Sequence, residues 1–149
     1  MHMILKDKGK ISQDEIKEYL LQWDWEWFLT FNIGGESADD LVRRFGQKLG
    51  LSEKLQVACL GVVCFVPQKH IHLLALGYSR DGKTLLNCNI HKAERLWGSL
   101  ANKTAKIESI YDHGAVGYIV DKNMPEGKYE MVMPYNTKRL KKSKTPRSF

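Results

Sequence analysis

A chain of 149 residues, 43% of them hydrophobic, holds enough apolar material for one ordinary core and too little for several, so a single globular domain is expected. Its 23 Lys and Arg against 17 Asp and Glu give a formal charge of +6 and a pI near 9.2, a surface that favours polyanions. Apolar runs are interrupted too soon to cross a bilayer, no signal-peptide core opens the chain, and the cysteines Cys59, Cys64 and Cys88 form no Cys-x-x-Cys pair. These features predict a non-membrane, cytoplasmic protein with reduced thiols.

In chain order, Ser12 followed by Glu15 is a capping-box pattern, and Ile16, Tyr19, Leu20 and Trp23 recur at helical spacing, which predicts a first helix to about residue 22. Residues 25–33 (WEWFLTFNI) are aromatic and β-branched and end at Gly34 and Gly35, as a strand does. On such a strand Trp23, Trp25 and Trp27 share a face, where packing against a helix outweighs stacking on bases. Ser37, Asp39 and Asp40 open a second helix through Leu41, Phe45 and Leu49, with Gly50 as its C-terminal cap. Residues 56–66 (QVACLGVVCFV) and 70–76, parted by Pro67 and Gln68, read as a hairpin of buried strands.

After Asp81 and Gly82 come a short strand near Leu85 and a helix capped by Asn89 that carries Ala93, Leu96, Trp97 and Leu100. A strand over 104–111, a short helix over 112–122 and a last strand over 129–133 follow. The order predicts an α+β domain over 1–136, with a central antiparallel sheet of about five strands flanked by helices on one face. Residues 137–149 carry Lys138, Arg139, Lys141, Lys142, Lys144 and Arg147 and no acid, and read as a mobile, phosphate-seeking tail, the alternative being a solubilising terminus with no specific partner. No phosphate-cradling glycine loop is present, so ATP use is not expected.

The sharpest chemical signal is His70-Ile71-His72. Residues two apart on a strand project from the same face, so two imidazoles can converge on one cation while Ile71 points into the core. The alternative is a chance pair satisfied by backbone or water. A second signal is Tyr118 with Lys122, four apart in a predicted helix, which places a phenol and an ammonium on one face. Nearby positive charge favours the phenolate that a tyrosine nucleophile requires, although this spacing is common on ordinary helices.

In their order along the chain these features resemble the replication-initiator (Rep) branch of the HUH endonuclease superfamily. The counterparts are FLTF at 28–31, His70 to His72 followed by Gly77, and Tyr-x-x-x-Lys from Tyr118 to Lys122; WGSL at 97–100 and AVGYIVDK at 115–122 add to the layout. The resemblance spans about residues 25–124 and implies a ferredoxin-like, RRM-like architecture. It further implies a single-stranded DNA nickase and strand transferase that initiates rolling-circle replication. Magnesium or manganese would be held by His70 and His72, and Tyr118 would form a 5′-phosphotyrosyl link with help from Lys122. Such enzymes usually add a Glu, Asp or His from the preceding strand. Here only Gln56, Cys59 and Cys64 offer donors there, with Cys64 nearest, and a thiolate suits zinc better than magnesium. Water, His91, His113 or Glu26 are the other options for that position.

The expected partner is single-stranded DNA at an origin or hairpin, contacted by Lys69, Lys138, Arg139, Lys141 and Lys142, with a separate helicase for unwinding. A transposase-type enzyme of the same class and a non-catalytic nucleic-acid-binding module of RRM-like fold are the alternatives. A phosphoesterase using histidine as acid and base would need a second histidine motif, and none is evident.

Overall fold

A computed structural model of the chain describes Glu18 and residues 21–65, 68–101, 105–109, 129–132 and 134–137, with the backbone alone at 105–109, 129 and 131. Of the first predicted helix, to about residue 22, they include Glu18, which is helical, and Leu21 and Gln22, which form a turn; the rest lies outside them. So do the predicted helix carrying Tyr118 and Lys122, and Lys138, Arg139, Lys141 and Lys142 of the tail.

Strands β1 (Trp27–Asn32), β2 (Gln56–Cys64), β3 (His70–Tyr78), β4 (Ala105–Ser109) and β5 (Tyr129–Met131) form one sheet in the order β4-β1-β3-β2-β5, and every neighbouring pair is antiparallel. Helix α1 (Ala38–Glu53) links β1 to β2, and helix α2 (His91–Ala101) lies between β3 and β4. The expected antiparallel α+β arrangement is therefore present.

Alternation along the strands decides which residues meet the helices. Trp27, Leu29, Phe31, Val57, Cys59, Val63, Ile71, Leu73 and Ala75 share a buried core with Leu41, Val42, Phe45 and Leu49 of α1 and Ala93, Trp97 and Ala101 of α2. At its centre the Trp97 ring stacks on Phe31 with centroids 4.1 Å apart and meets Phe45 edge-on at 5.7 Å. Its Nε1–H donates to the Asn32 carbonyl at 3.2 Å. The opposite face is apolar too: Phe28, Ala58, Leu60, Val62, Leu74 and Leu76 are all buried. Burial on both faces is why β2 and β3 read as unbroken apolar runs rather than alternating ones.

Ser37 caps α1, its Oγ accepting the Asp40 amide at 3.3 Å, and Asp39 and Asp40 sit in the first turn, where the helix dipole favours negative charge. The other end corrects the sequence reading, because α1 runs through Gly50 to Glu53 and is closed by Lys54 in a left-handed conformation (φ 58°). Gly50 serves close approach instead: a Cβ there would stand 2.8 Å from the Leu55 carbonyl oxygen. The Leu55 amide folds back onto the Gly50 carbonyl at 3.0 Å.

The predicted strand near Leu85 is a 3₁₀ turn, Leu85–Asn87. Local side chains compete successfully for its backbone: the Thr84 hydroxyl accepts the Leu86 amide at 3.3 Å and Asn87 Oδ1 accepts the Thr84 amide at 2.9 Å. Asn89 behaves as expected, Oδ1 accepting the His91 amide at 3.0 Å where α2 begins. The first strand starts two residues later than its composition predicts. Trp23 and Trp25 precede it and pack edge to face at 5.8 Å, buried like Trp27, and their burial removes them as base-stacking platforms. Among the described residues no helix is long and apolar enough to cross a membrane.

Candidate metal centre

The register of the sheet assembles the site. Cys64 at the end of β2 lies opposite His70 at the start of β3, Val62 lies opposite His72, and Thr30 of β1 flanks His72 from the other side. Parity along each strand puts Cys64, His70, His72 and Thr30 on the face away from the helices. One ligand atom from each of Cys64, His70 and His72 lies within 4.8 Å of the other two. Cys64 and His72 are buried and His70 is half-buried. This arrangement can hold a metal ion.

The imidazoles are held from behind. His70 Nδ1 donates to the Gln68 carbonyl at 2.7 Å; a carbonyl only accepts, so in the neutral ring the proton stays on Nδ1 and Nε2 carries a lone pair. That Nε2 stands 3.2 Å from His72 Nε2, with the rings nearly perpendicular at 86°. His72 Nδ1 meets the Thr30 hydroxyl at 3.0 Å. A hydroxyl either donates or accepts, so His72 has two states. In one, its Nε2–H donates to His70. In the other, Nδ1–H donates to Thr30, and two lone pairs face each other across a gap that only a cation makes favourable. The Phe28 ring packs beside His72, centroids 5.6 Å apart. Burial pushes the Cys64 thiol up to about 11, so without an ion it is neutral and a bound metal must displace its proton.

Thr30 and the Gln68 carbonyl are parts of this site that sequence reasoning missed. The FLTF motif displays Thr30, but its role follows only from knowing that β1 lies beside β3.

Other predicted donors lie elsewhere. His91 is exposed at the start of α2, where it pairs with Glu94 at 3.6 Å. Glu26 precedes β1 at the end of the sheet away from His70, and its Oε1 accepts the amides of Gly77 at 2.8 Å and Leu85 at 3.0 Å. It is a structural acceptor, not a ligand. His113 lies outside the described residues. Lys69 is exposed beside His70 on the β2–β3 connection, where its ammonium donates to the Gly34 carbonyl at 3.1 Å and lies 5.9 Å from the exposed Phe65 ring.

Burial, opposed by those two amide hydrogen bonds, raises the Glu26 carboxyl above its ordinary 4.5. The native state therefore binds this proton more readily than the unfolded chain, and the associated stability is full below 4.5 and is lost as pH rises through the raised value. Glu53 acts in the opposite window: chiefly through its bond to Lys92 its carboxyl is lowered, so its stabilisation fades only below 4.5. Glu26→Gln keeps an acceptor for both amides and should flatten the stability profile above that point. Glu26→Ala strands both amides and should cost about 2–4 kcal/mol. Urea midpoints measured across pH test this, and an unchanged slope in Glu26→Gln would reject it.

The magnesium or manganese implied by the family resemblance is a poor match to these donors. Magnesium takes oxygen ligands in octahedral array, whereas here two imidazoles stand with a thiol, and no carboxylate joins the cluster among the described residues. None of the protein families, curated proteins or solved structures compared with the chain matches it.

Proposed function

We propose that this chain is a metal-dependent single-stranded DNA endonuclease of the HUH type, a nickase and strand transferase that initiates rolling-circle replication. The convergence of His70 Nε2, His72 Nε2 and Cys64 on one sheet face is the observation that carries this reading. The β-α-β-β-α-β connectivity and the strand order β4-β1-β3-β2 add support, because they are those of a ferredoxin-like split βαβ domain.

His70, His72 and Cys64 would hold a divalent ion, which when bound would supply Lewis-acid polarisation of a phosphoryl oxygen. Thr30 and the Gln68 carbonyl fix the ring orientations, as outer partners of metal ligands do. Tyr118 provides the nucleophile and Lys122 favours its phenolate. The Tyr118 phenol gives up its proton to solvent, the tyrosyl oxygen bonds to phosphorus as the bond to the 3′ oxygen breaks, and that oxygen takes a proton from solvent to leave as a hydroxyl. The phosphodiester energy is conserved in the 5′-phosphotyrosine, so rejoining to another 3′-hydroxyl needs no ATP. Lys69 and the exposed Phe65, next in sequence to His70 and Cys64, would suit a phosphate and a base respectively, and Lys138, Arg139, Lys141 and Lys142 would add sequence-independent affinity.

Labelled single-stranded oligonucleotides with hairpin and origin-like sequences, incubated with manganese, zinc or chelator, test the reading. A denaturation-resistant adduct on the 5′-phosphate side is expected with metal and not with chelator, and Tyr118→Phe should abolish it. Adduct in that variant would remove Tyr118 as nucleophile. DNA binding that survives chelation, with no adduct under any condition, would leave a non-catalytic binding module in its place.

A further inference from the structure

We infer that the His70, His72 and Cys64 cluster is a zinc-class centre with three protein ligands, selective against magnesium and manganese, and that ion binding switches His72 from one tautomer to the other. The inference deepens the metal-dependent reading above, and rests on it only for the claim that the cluster binds an ion.

Donor chemistry comes first. Two neutral imidazoles and a thiolate form a borderline-to-soft set that suits zinc, whereas magnesium and manganese prefer carboxylate, carbonyl and water. Dimensions agree. In tetrahedral zinc with Zn–N near 2.0–2.1 Å, two nitrogens stand about 3.3 Å apart, and the facing Nε2 atoms of His70 and His72 are already 3.2 Å apart. A sulfur and a nitrogen on the same ion stand about 3.5 Å apart, so the widest separation the cluster allows, 4.8 Å, needs to close by little more than about 1 Å. Three protein ligands leave a fourth position for water or a phosphoryl oxygen, as catalytic zinc sites do.

The tautomer switch follows from the outer partners. His70 is fixed with Nδ1–H on the Gln68 carbonyl and presents a lone pair in either state. His72 presents its own lone pair only when Nδ1–H turns to the Thr30 hydroxyl, and that hydroxyl can accept as readily as it donates. Thr30 therefore supports both states: it donates to the empty ring and accepts from the metal-bound one. It is a positioning residue.

Equilibrium dialysis of the full chain against zinc, manganese and magnesium, with metal counted per chain, gives the first readout. One zinc per chain is expected, bound at least about 100-fold more tightly than manganese. Cobalt(II) gives the second, because a coordinating thiolate produces a sulfur-to-cobalt charge-transfer band in the wild-type protein that Cys64→Ser should lose. Ring-nitrogen NMR gives the third: on zinc addition His72 should pass to the Nδ1–H form, and Thr30→Val, which removes the acceptor, should weaken zinc about 10–100-fold. Cys64→Asp should move the preference toward manganese and serves as a folded control if the serine variant is unstable. Equal zinc and manganese affinities, or wild-type cobalt protein without the sulfur band, would overturn the inference. A DNA adduct formed with manganese but no sulfur band would sink the zinc centre alone and leave the nickase. Zinc bound through Cys64 with no adduct in any metal would sink the nickase and leave the zinc centre.

Discussion

Replacing His72 with alanine is expected to weaken zinc binding by more than about 100-fold, because loss of an outer partner alone costs about 10–100-fold and this change removes a ligand itself. The variant also strips the site of the ring that links its two halves. His72 is the group that both faces His70 at 3.2 Å and meets Thr30 at 3.0 Å. Its side chain lies away from the helix-packed core, so the secondary structure should survive, and circular dichroism beside the dialysis experiment separates lost binding from lost folding. Should zinc affinity stay within tenfold of wild type in a folded His72→Ala protein, the assigned ligand set is wrong.

Trp97→Ala should have the largest effect on stability, a loss of about 3–5 kcal/mol. The ring is fully buried, stacks on Phe31, meets Phe45 edge-on and donates to the Asn32 carbonyl, so the change opens a cavity and removes a hydrogen bond together. It also joins α2 to β1, the strand that carries Thr30. Trp97→Phe keeps an aromatic contact and loses only the donor and part of the volume, so it should cost clearly less. Urea unfolding monitored by circular dichroism measures both, and a loss below about 1 kcal/mol in Trp97→Ala would show that the two layers are not held together there.

Much of the hairpin at the heart of the sheet was legible because burial on both faces leaves an unmistakable mark. Residues 56–64 and 70–78 are apolar nearly throughout, and polar His70 and His72 stand out against that background. Cys64 is the donor nearest the position where the resembled enzymes place a third ligand, and the register of β2 with β3 sets it opposite His70. The rest depended on neighbours distant in sequence. Thr30 acquires a role only through the pairing of β1 with β3, 42 residues on. Glu26 resembled a spare carboxylate until its oxygen was found on the amides of Gly77 and Leu85. Gly50 carried the usual sign of a helix end, but the signal came from the Leu55 carbonyl pressing on the helix, and α1 continued for another turn. At Leu85 a short apolar pair imitated a strand, while Thr84 and Asn87 had already committed the backbone to a turn.

The three candidate ligands Cys64, His70 and His72 all fall within one hairpin, nine consecutive positions from first to last. Closing so short a loop around an ion costs little chain entropy, so the denatured polypeptide retains part of the native grip. Whatever the unfolded chain captures is subtracted from the stabilisation that saturating metal would otherwise confer. Adding ion should therefore raise the melting temperature by less than its native affinity implies, and the same local capture gives β2 and β3 a head start in finding each other as the protein folds.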